Sequence, residues 1–466
     1  MSMNIRNVLV SGFVLVAIAG FAAPVVWGAP AGRGTGLFGL RGKRNADAAA
    51  STKQAPAAEG VGAEKAAQLP EAVLKKFVEA TEYSKGTQGH AVLVMHKGEV
   101  IFERYDNGGG VSTPNPLASG TKSFTGVAAM IAVQEGLITL DEKVSETLTE
   151  WKSDPKKKEI TVRQLLTLSS GLQPDSGTTA SKRLRRGKEK GDDGGLAEAS
   201  GMGIGGRPAD WFAAALTAPM TGTPGGQFAY GPNHYYAFGA FFEKKLAAAG
   251  EPADIWAWYQ KKVFTPIGMS IARIGRDQAG HPNLPGGAML TAREWAKYGL
   301  MIAQGGMWTK ADGTKVEVIK PEFLKQCFEP SAKNGNYGLT FWLRRGAAPA
   351  EAGSAANDSE TRVGSAESLR ERAVQRNLAK QAAAFTKGDG AKLDAVMAAG
   401  LGKQRLYIIP SLDLVVVRFA AITSENGTFD DTTFAKPIIE GVQMLRGEVK
   451  GEEKPGAAAP EKPAAK

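Results

Sequence analysis

The chain has 466 residues, carries 57 Lys and Arg against 47 Asp and Glu for a net charge of +10, and is 43% hydrophobic and 22% charged. That balance is ordinary for a globular protein and excludes a fully disordered, collagenous or polytopic membrane chain. The one cysteine, Cys327, excludes an intrachain disulfide, and four histidines (His90, His96, His234, His281) without an H-E-x-x-H pattern give no basis for a metal or another cofactor.

In chain order, Arg6 precedes the apolar run Val8 to Ala23, and small residues follow at Gly28 and Ala29. A positive start, a short apolar run and a small-residue zone are the parts of a secretory signal. The run is shorter than the ~20 apolar residues of a spanning helix. Residues 1–29 are therefore expected to be a signal peptide and the product periplasmic or secreted, meeting the membrane only if this segment stays uncleaved. Residues 30–69 and 448–466 are poor in bulky apolar side chains and read as a disordered linker and tail. The body, 70–447, carries low-complexity inserts at about 176–207 and 346–392. The first holds the one dense basic run, Lys182 to Lys190. It contains no aromatic residue, as expected of a solvated insertion, so no nucleic-acid partner is expected.

The body opens with Ala91-Val-Leu-Val-Met95, a turn at His96-Lys-Gly98 and Val100 to Tyr105, which reads as a β-hairpin. It closes with a second hairpin, Arg405 to Ile409 and Leu414 to Phe419, then a helix over Phe434 to Arg446 with Ile438, Ile439, Val442 and Leu445 on one face. Between them the pattern is mainly helical, and Thr161-Val-Arg-Gln164 and Thr291-Ala-Arg-Glu294 have capping-box form. Strands at both ends and helices between predict an α+β fold: one antiparallel sheet from the two termini, with an inserted helical subdomain.

The glycines of Gly201 to Gly206 match G-x-G-x-x-G, but no strand precedes them and a dinucleotide site is not expected. S-x-x-K occurs twice. Ser153-Asp-Pro-Lys156 lies in a polar run and reads as a surface turn. Ser119-Gly-Thr-Lys122 opens an apolar helix with Phe124, Val127, Ala128 and Ile131 at helical spacing. A three-residue step places both side chains on one face. A buried lysine loses affinity for its proton, and a serine hydroxyl becomes a good nucleophile beside such a base. The alternative is a helix-capping serine followed by a solvent-facing lysine. A loop tyrosine in Gln227-Phe-Ala-Tyr-Gly-Pro-Asn233 is a candidate second acid/base group.

Six segments in order resemble the class C β-lactamase-related serine hydrolases, the group of D-Ala-D-Ala peptidases, D-aminopeptidases, family VIII esterases and β-lactamases. They are Leu117 to Thr125, Ile160 to Gly171, the Tyr230 stretch, Gly286 to Trp295, Tyr337 to Trp342 and Gln404 to Pro410. The resemblance covers most of 85–345 and 395–447. It implies a β-lactamase/DD-peptidase-like fold, Ser119 as nucleophile, Lys122 as its base partner and Tyr230 as proton relay, with Lys122 keeping the phenol acidic. The amide often found two places after that tyrosine is replaced by Pro232, leaving Asn233 as the candidate substrate contact. The third motif's Lys or His falls on Ala398, and Lys403 is out of register. Its glycine is Gly400, a candidate substrate-binding position. The N–H of Leu401 would pair with that of Ser119 as an oxyanion hole. The implied activity is acyl hydrolysis of small esters, D-amino-acid amides or cell-wall peptides. The rivals are a catalytically silent envelope-binding module on the same fold and a true D-Ala-D-Ala carboxypeptidase or β-lactamase.

Overall fold

A computed structural model describes residues 61–174, 209–344, 394–422 and 428–448. The expected signal peptide, both inserts and the tail beyond residue 448 lie outside the described residues. The linker ends sooner than expected. Helix α1, Val61–Ala66, precedes the body, and its Ala66 is 4% exposed. Its Lys65 reaches Glu99 at 3.0 Å. One buried methyl in an Ala/Gly-rich stretch is too weak a pattern to mark such a helix.

The elements that follow are α2 (Glu71–Gly86), β1 (Gly89–His96), β2 (Glu99–Tyr105), β3 (Asn115–Pro116), α3 (Lys122–Gln134), α4 (Val162–Leu166), α5 (Trp211–Thr217), α6 (Asn233–Ala248) and α7 (Ile255–Tyr259). Then come β4 (Arg273–Ile274), β5 (Ala288–Leu290), α8 (Ala292–Ala303), β6 (Met307–Thr309), β7 (Lys315–Glu317), α9 (Pro321–Gln326), β8 (Trp342–Arg344), β9 (Ala395–Gly400), β10 (Gln404–Ile409), β11 (Leu414–Ala420) and α10 (Asp431–Leu445).

The main sheet has six antiparallel strands in the order β2-β1-β11-β10-β9-β8. Both expected hairpins are present, and they meet where β1 pairs with β11, Leu93 opposite Val417. The first turns through Lys97 and Gly98, both at positive φ, which suits the twist of a two-residue hairpin. Terminal strands side by side, with helices α3 to α9 between them in sequence, make the α+β arrangement.

Helices cover both faces of the sheet. On one, Trp295 of α8 stacks on Phe419 at 5.2 Å, and Tyr298 meets Phe124 of α3 edge-on at 4.9 Å. On the other, Phe77 of α2 meets Phe102 at 5.6 Å and Phe434 of α10 meets Tyr407 at 5.9 Å. A buried ion pair ties α10 to the sheet: Arg405 Nε donates to Asp431 Oδ1 at 2.8 Å, each side chain being 1% exposed. Helix α3 is buried on every side from Lys122 to Ala132, as a helix at the centre of a domain must be. Among the described residues, no helix is long and apolar enough to cross a membrane.

Candidate active site

Ser119 does not sit in α3 itself. It lies in a 3-10 turn, Ala118–Thr121, that feeds directly into the helix. Ala118 has φ 45°, a left-handed conformation that costs a residue with a Cβ on the order of 1–3 kcal/mol and persists only where surroundings enforce it. They do so here from β5. Leu117 N–H donates to Ala288 O at 2.9 Å, and Ala288 N–H donates to Thr121 Oγ1 at 3.2 Å. Gly120 is needed because a Cβ there would stand 2.8 Å from the Trp295 indole. The turn leaves Ser119 partly exposed while Lys122 is only 5% exposed. The alternative of a capping serine and a solvent-facing lysine is thereby excluded. Ser153, by contrast, is exposed in a turn.

Lys122 Nζ lies 3.0 Å from Ser119 Oγ and donates to Pro285 O at 2.8 Å. It sits 5.0 Å from the Tyr230 ring centroid and 5.5 Å from that of Tyr235. Burial lowers its pKa to about 7, so a large share of the amine is uncharged near neutral pH. An uncharged amine can keep one N–H on Pro285 and turn its lone pair to the serine hydroxyl. The Tyr230 phenol is pushed up to about 12 by burial, while Ser119 and Arg405 pull the other way. This corrects the expectation that Lys122 keeps the phenol acidic, because desolvation outweighs every favourable charge. The lysine is therefore the group able to accept the serine proton. The tyrosine is the group able to donate one.

Tyr230 stands on the loop before α6, clamped by the Leu168 to Pro174 segment. Ala229 N–H donates to Leu168 O at 2.8 Å, and His234 Nε2–H donates to Ala229 O at 2.8 Å. Ser170 completes the clamp at 2.9 Å from His234 Nδ1. Burial lowers His234 to about 4, so it remains neutral, with Nδ1 free to accept from the Ser170 hydroxyl. Sequence reasoning missed His234. Its only signal was a histidine four places after the tyrosine. A His234→Ala variant should lose about tenfold to 10²-fold in kcat through a loosened Tyr230, with KM little changed, as measured by initial rates. Asn233 also departs from expectation. It is fully buried, and its Nδ2 donates to Gln173 O at 2.8 Å, so its amide nitrogen anchors the loop rather than a substrate. Its Oδ1 has no hydrogen-bond partner among the described residues.

Aromatic side chains wall this side of the site. Trp342 stacks on Tyr230 at 6.0 Å, Tyr337 stands edge-on at 6.5 Å, and Phe228 packs beside both. The Tyr337 hydroxyl is 2.9 Å from that of Tyr235.

The end of β9 meets the turn that carries Ser119. A Cβ on Gly400 would lie 2.0 Å from Leu117 O, so only glycine lets the strand approach this closely. The next residue, Leu401, begins a 3-10 turn with its side chain 38% exposed. Among the described residues, neither the Ser119 nor the Leu401 N–H donates to a backbone carbonyl outside its own turn. Ala398 is 2% exposed within β9 and brings no charge. Lys403 sits at the turn into β10 with φ 62°, its pKa lowered to about 8 by burial and by Arg405.

The carboxylate and imidazole atoms of Asp210, Asp277 and His281 also lie within 4.8 Å of one another. They have structural partners: Asp210 accepts from Ala213 N–H at 2.8 Å, and Asp277 from Trp211 N–H at 2.7 Å and His281 N–H at 2.8 Å. The group joins the start of α5 to the 277–281 loop and includes none of the residues around Ser119.

Residues 71–433 match the family model described as Beta-lactamase. A monacolin J acid methylbutanoyltransferase from Aspergillus terreus is 29% identical over 175 residues, which is 34% of this chain and 38% of that protein. The match thus spans well under half of that relative. A Bacillus anthracis protein provisionally assigned as a 6-aminohexanoate-dimer hydrolase superposes with a TM-score of 0.54 at 18% identity, covering 79% of this chain and 82% of the other. EstCE1, a hydrolase with promiscuous acyltransferase activity, superposes with a TM-score of 0.50 at 16% identity, covering 81% and 98%. At such identities these two structures speak to the fold.

Proposed function

Because the chain belongs to the beta-lactamase family, whose members are serine hydrolases and acyltransferases, we propose that it is an exported serine acyl hydrolase acting through an acyl-enzyme on Ser119. Its substrates are small esters or D-amino-acid amides. The observation that carries this reading is the buried Lys122 amine 3.0 Å from the Ser119 hydroxyl, with its pKa lowered to about 7. A silent binding module has no use for such a pair. Export rests on Arg6 and the apolar run after it.

In the proposed cycle Lys122 takes the proton of Ser119 as Oγ attacks the acyl carbon. The developing oxyanion lies between the Ser119 and Leu401 N–H groups. The leaving alcohol or amine takes its proton from Tyr230, and the proton on Lys122 returns to the phenolate. Water then attacks the acyl-enzyme by the same route. An alcohol in place of water would give acyl transfer, the activity named for the Aspergillus relative and for EstCE1.

The aromatic wall and the exposed Leu401 favour an apolar, uncharged acyl group. A cation at position 398 would hydrogen-bond a substrate carboxylate, an interaction worth roughly 1.5–3 kcal/mol. Its absence should therefore cost roughly one to two orders of magnitude on anionic substrates. The expected result is measurable kcat/KM on p-nitrophenyl butyrate and poor turnover of a chromogenic cephalosporin by the same sample. Efficient cephalosporin hydrolysis with negligible esterase activity would contradict this preference and point to Lys403 as the carboxylate partner.

A further inference from the structure

The third motif retains its glycine but has no cation, yet a guanidinium stands directly behind it. Arg405 Nη1 donates to Gly400 O at 3.2 Å and to Gln404 O at 3.0 Å. Its other edge is fixed by Asp431, Nε to Oδ1 at 2.8 Å and Nη2 to Oδ2 at 3.4 Å. The Tyr407 hydroxyl also donates to Asp431 Oδ1 at 2.5 Å. Arg405 is 1% exposed, so it is not placed to grip a substrate directly.

Gly400 C=O and Leu401 N–H belong to one peptide unit. In a trans peptide the two point in opposite directions. Among the described residues there is no cis peptide. A hydrogen bond from a cation to the carbonyl oxygen draws electron density along the amide, and the N–H at its other end becomes a stronger donor. We propose that Arg405, held by Asp431, is a positioning residue that polarises the Gly400–Leu401 peptide and so strengthens the Leu401 N–H as an oxyanion donor. The inference rests on the oxyanion role given to Leu401 above. It explains why a fully buried arginine lies at this strand end, where a merely structural contact could be apolar. The field of Arg405 also reaches the site, since it is among the groups drawing the Tyr230 phenol down.

The test uses the carbonyl stretch of a chromophoric acyl-enzyme, formed with a furylacryloyl ester on the full chain. That band falls as oxyanion donors strengthen. Arg405→Lys keeps the charge but cannot hold Asp431 and Gly400 O together. It should raise the band and lower kcat about tenfold with KM nearly unchanged, less than the 10²–10³-fold loss of a whole donor. Asp431→Asn, which keeps the shape, should move both readouts the same way by less. The unmodified protein supplies a measurement independent of either variant's folding. In a sample labelled with 1-13C-glycine and 15N-leucine, the Gly400 carbonyl carbon should resonate downfield of the other Gly–Leu pairs. An ordinary Gly400 shift, or an unmoved band and kcat in a natively folded variant, overturns the inference. Failure of the unmodified protein to form any acyl-enzyme would instead overturn the functional reading beneath it.

Discussion

Ser119→Ala is expected to abolish ester turnover, lowering kcat by roughly 10⁴-fold or more. The hydroxyl is the atom that Lys122 Nζ faces at 3.0 Å. The protein should remain folded. Ser119 is partly exposed and its side chain caps no helix, so the thermal midpoint should move by no more than about 3 °C. Ser153→Ala is the matched control. It removes an equally small hydroxyl from an exposed turn and should leave the rate unchanged, although its motif has the same spelling.

Lys122→Met should have the next largest effect, a loss of about 10²–10⁴-fold in kcat/KM, the usual contribution of a placed general base. The wild-type pH profile should carry its signature. The amine acts only when deprotonated, so activity rises with pH through about 7 and then levels off. Below that limb, kcat/KM should fall about tenfold per pH unit. Tyr230, raised to about 12, stays protonated throughout and adds no second limb in the working range. In Lys122→Met the limb near 7 should vanish from whatever rate remains. An unchanged limb in that variant would assign it to another group. His234, lowered to about 4, cannot supply it.

What the sequence reveals here follows from how local each interaction is. Both hairpins are legible because alternating apolar residues and a turn lie within a dozen positions of each other. Thr161 makes the full capping box that its spacing predicts, with Gln164 returning the bond. Thr291 makes only half of one. It accepts from Glu294 N–H, but the Glu294 carboxylate is drawn to Ser270 N–H at 2.6 Å and to Lys297 at 2.8 Å. The pairing of Ser119 with Lys122 is legible because three residues on one chain segment fix their separation.

The features that tune the pair are less legible. Pro285 O reaches Lys122 across 163 residues, and Asp431 reaches Arg405 across 26. Ala118 shows no sign in sequence of its positive φ, which β5 imposes from outside. Tyr230 likewise packs against Tyr337 and Trp342, more than a hundred positions away. Burial, which outweighs the pull of Ser119 and Arg405, sets the direction of the shift on the phenol. Local pattern brings Ser119 and Lys122 together, and long-range packing sets the burial around them.

The central claim is that Ser119 becomes covalently acylated while Lys122 holds its proton. The most direct measurement is peptide mapping by mass spectrometry after exposure of the full chain to a fluorophosphonate, with Ser119→Ala treated in parallel. The account predicts a single phosphonyl adduct on the peptide containing Ser119, loss of esterase activity in proportion to labelling, and no adduct in the variant. Ester turnover that survives without any adduct on Ser119, or an adduct that tracks with activity on a different residue, would contradict it.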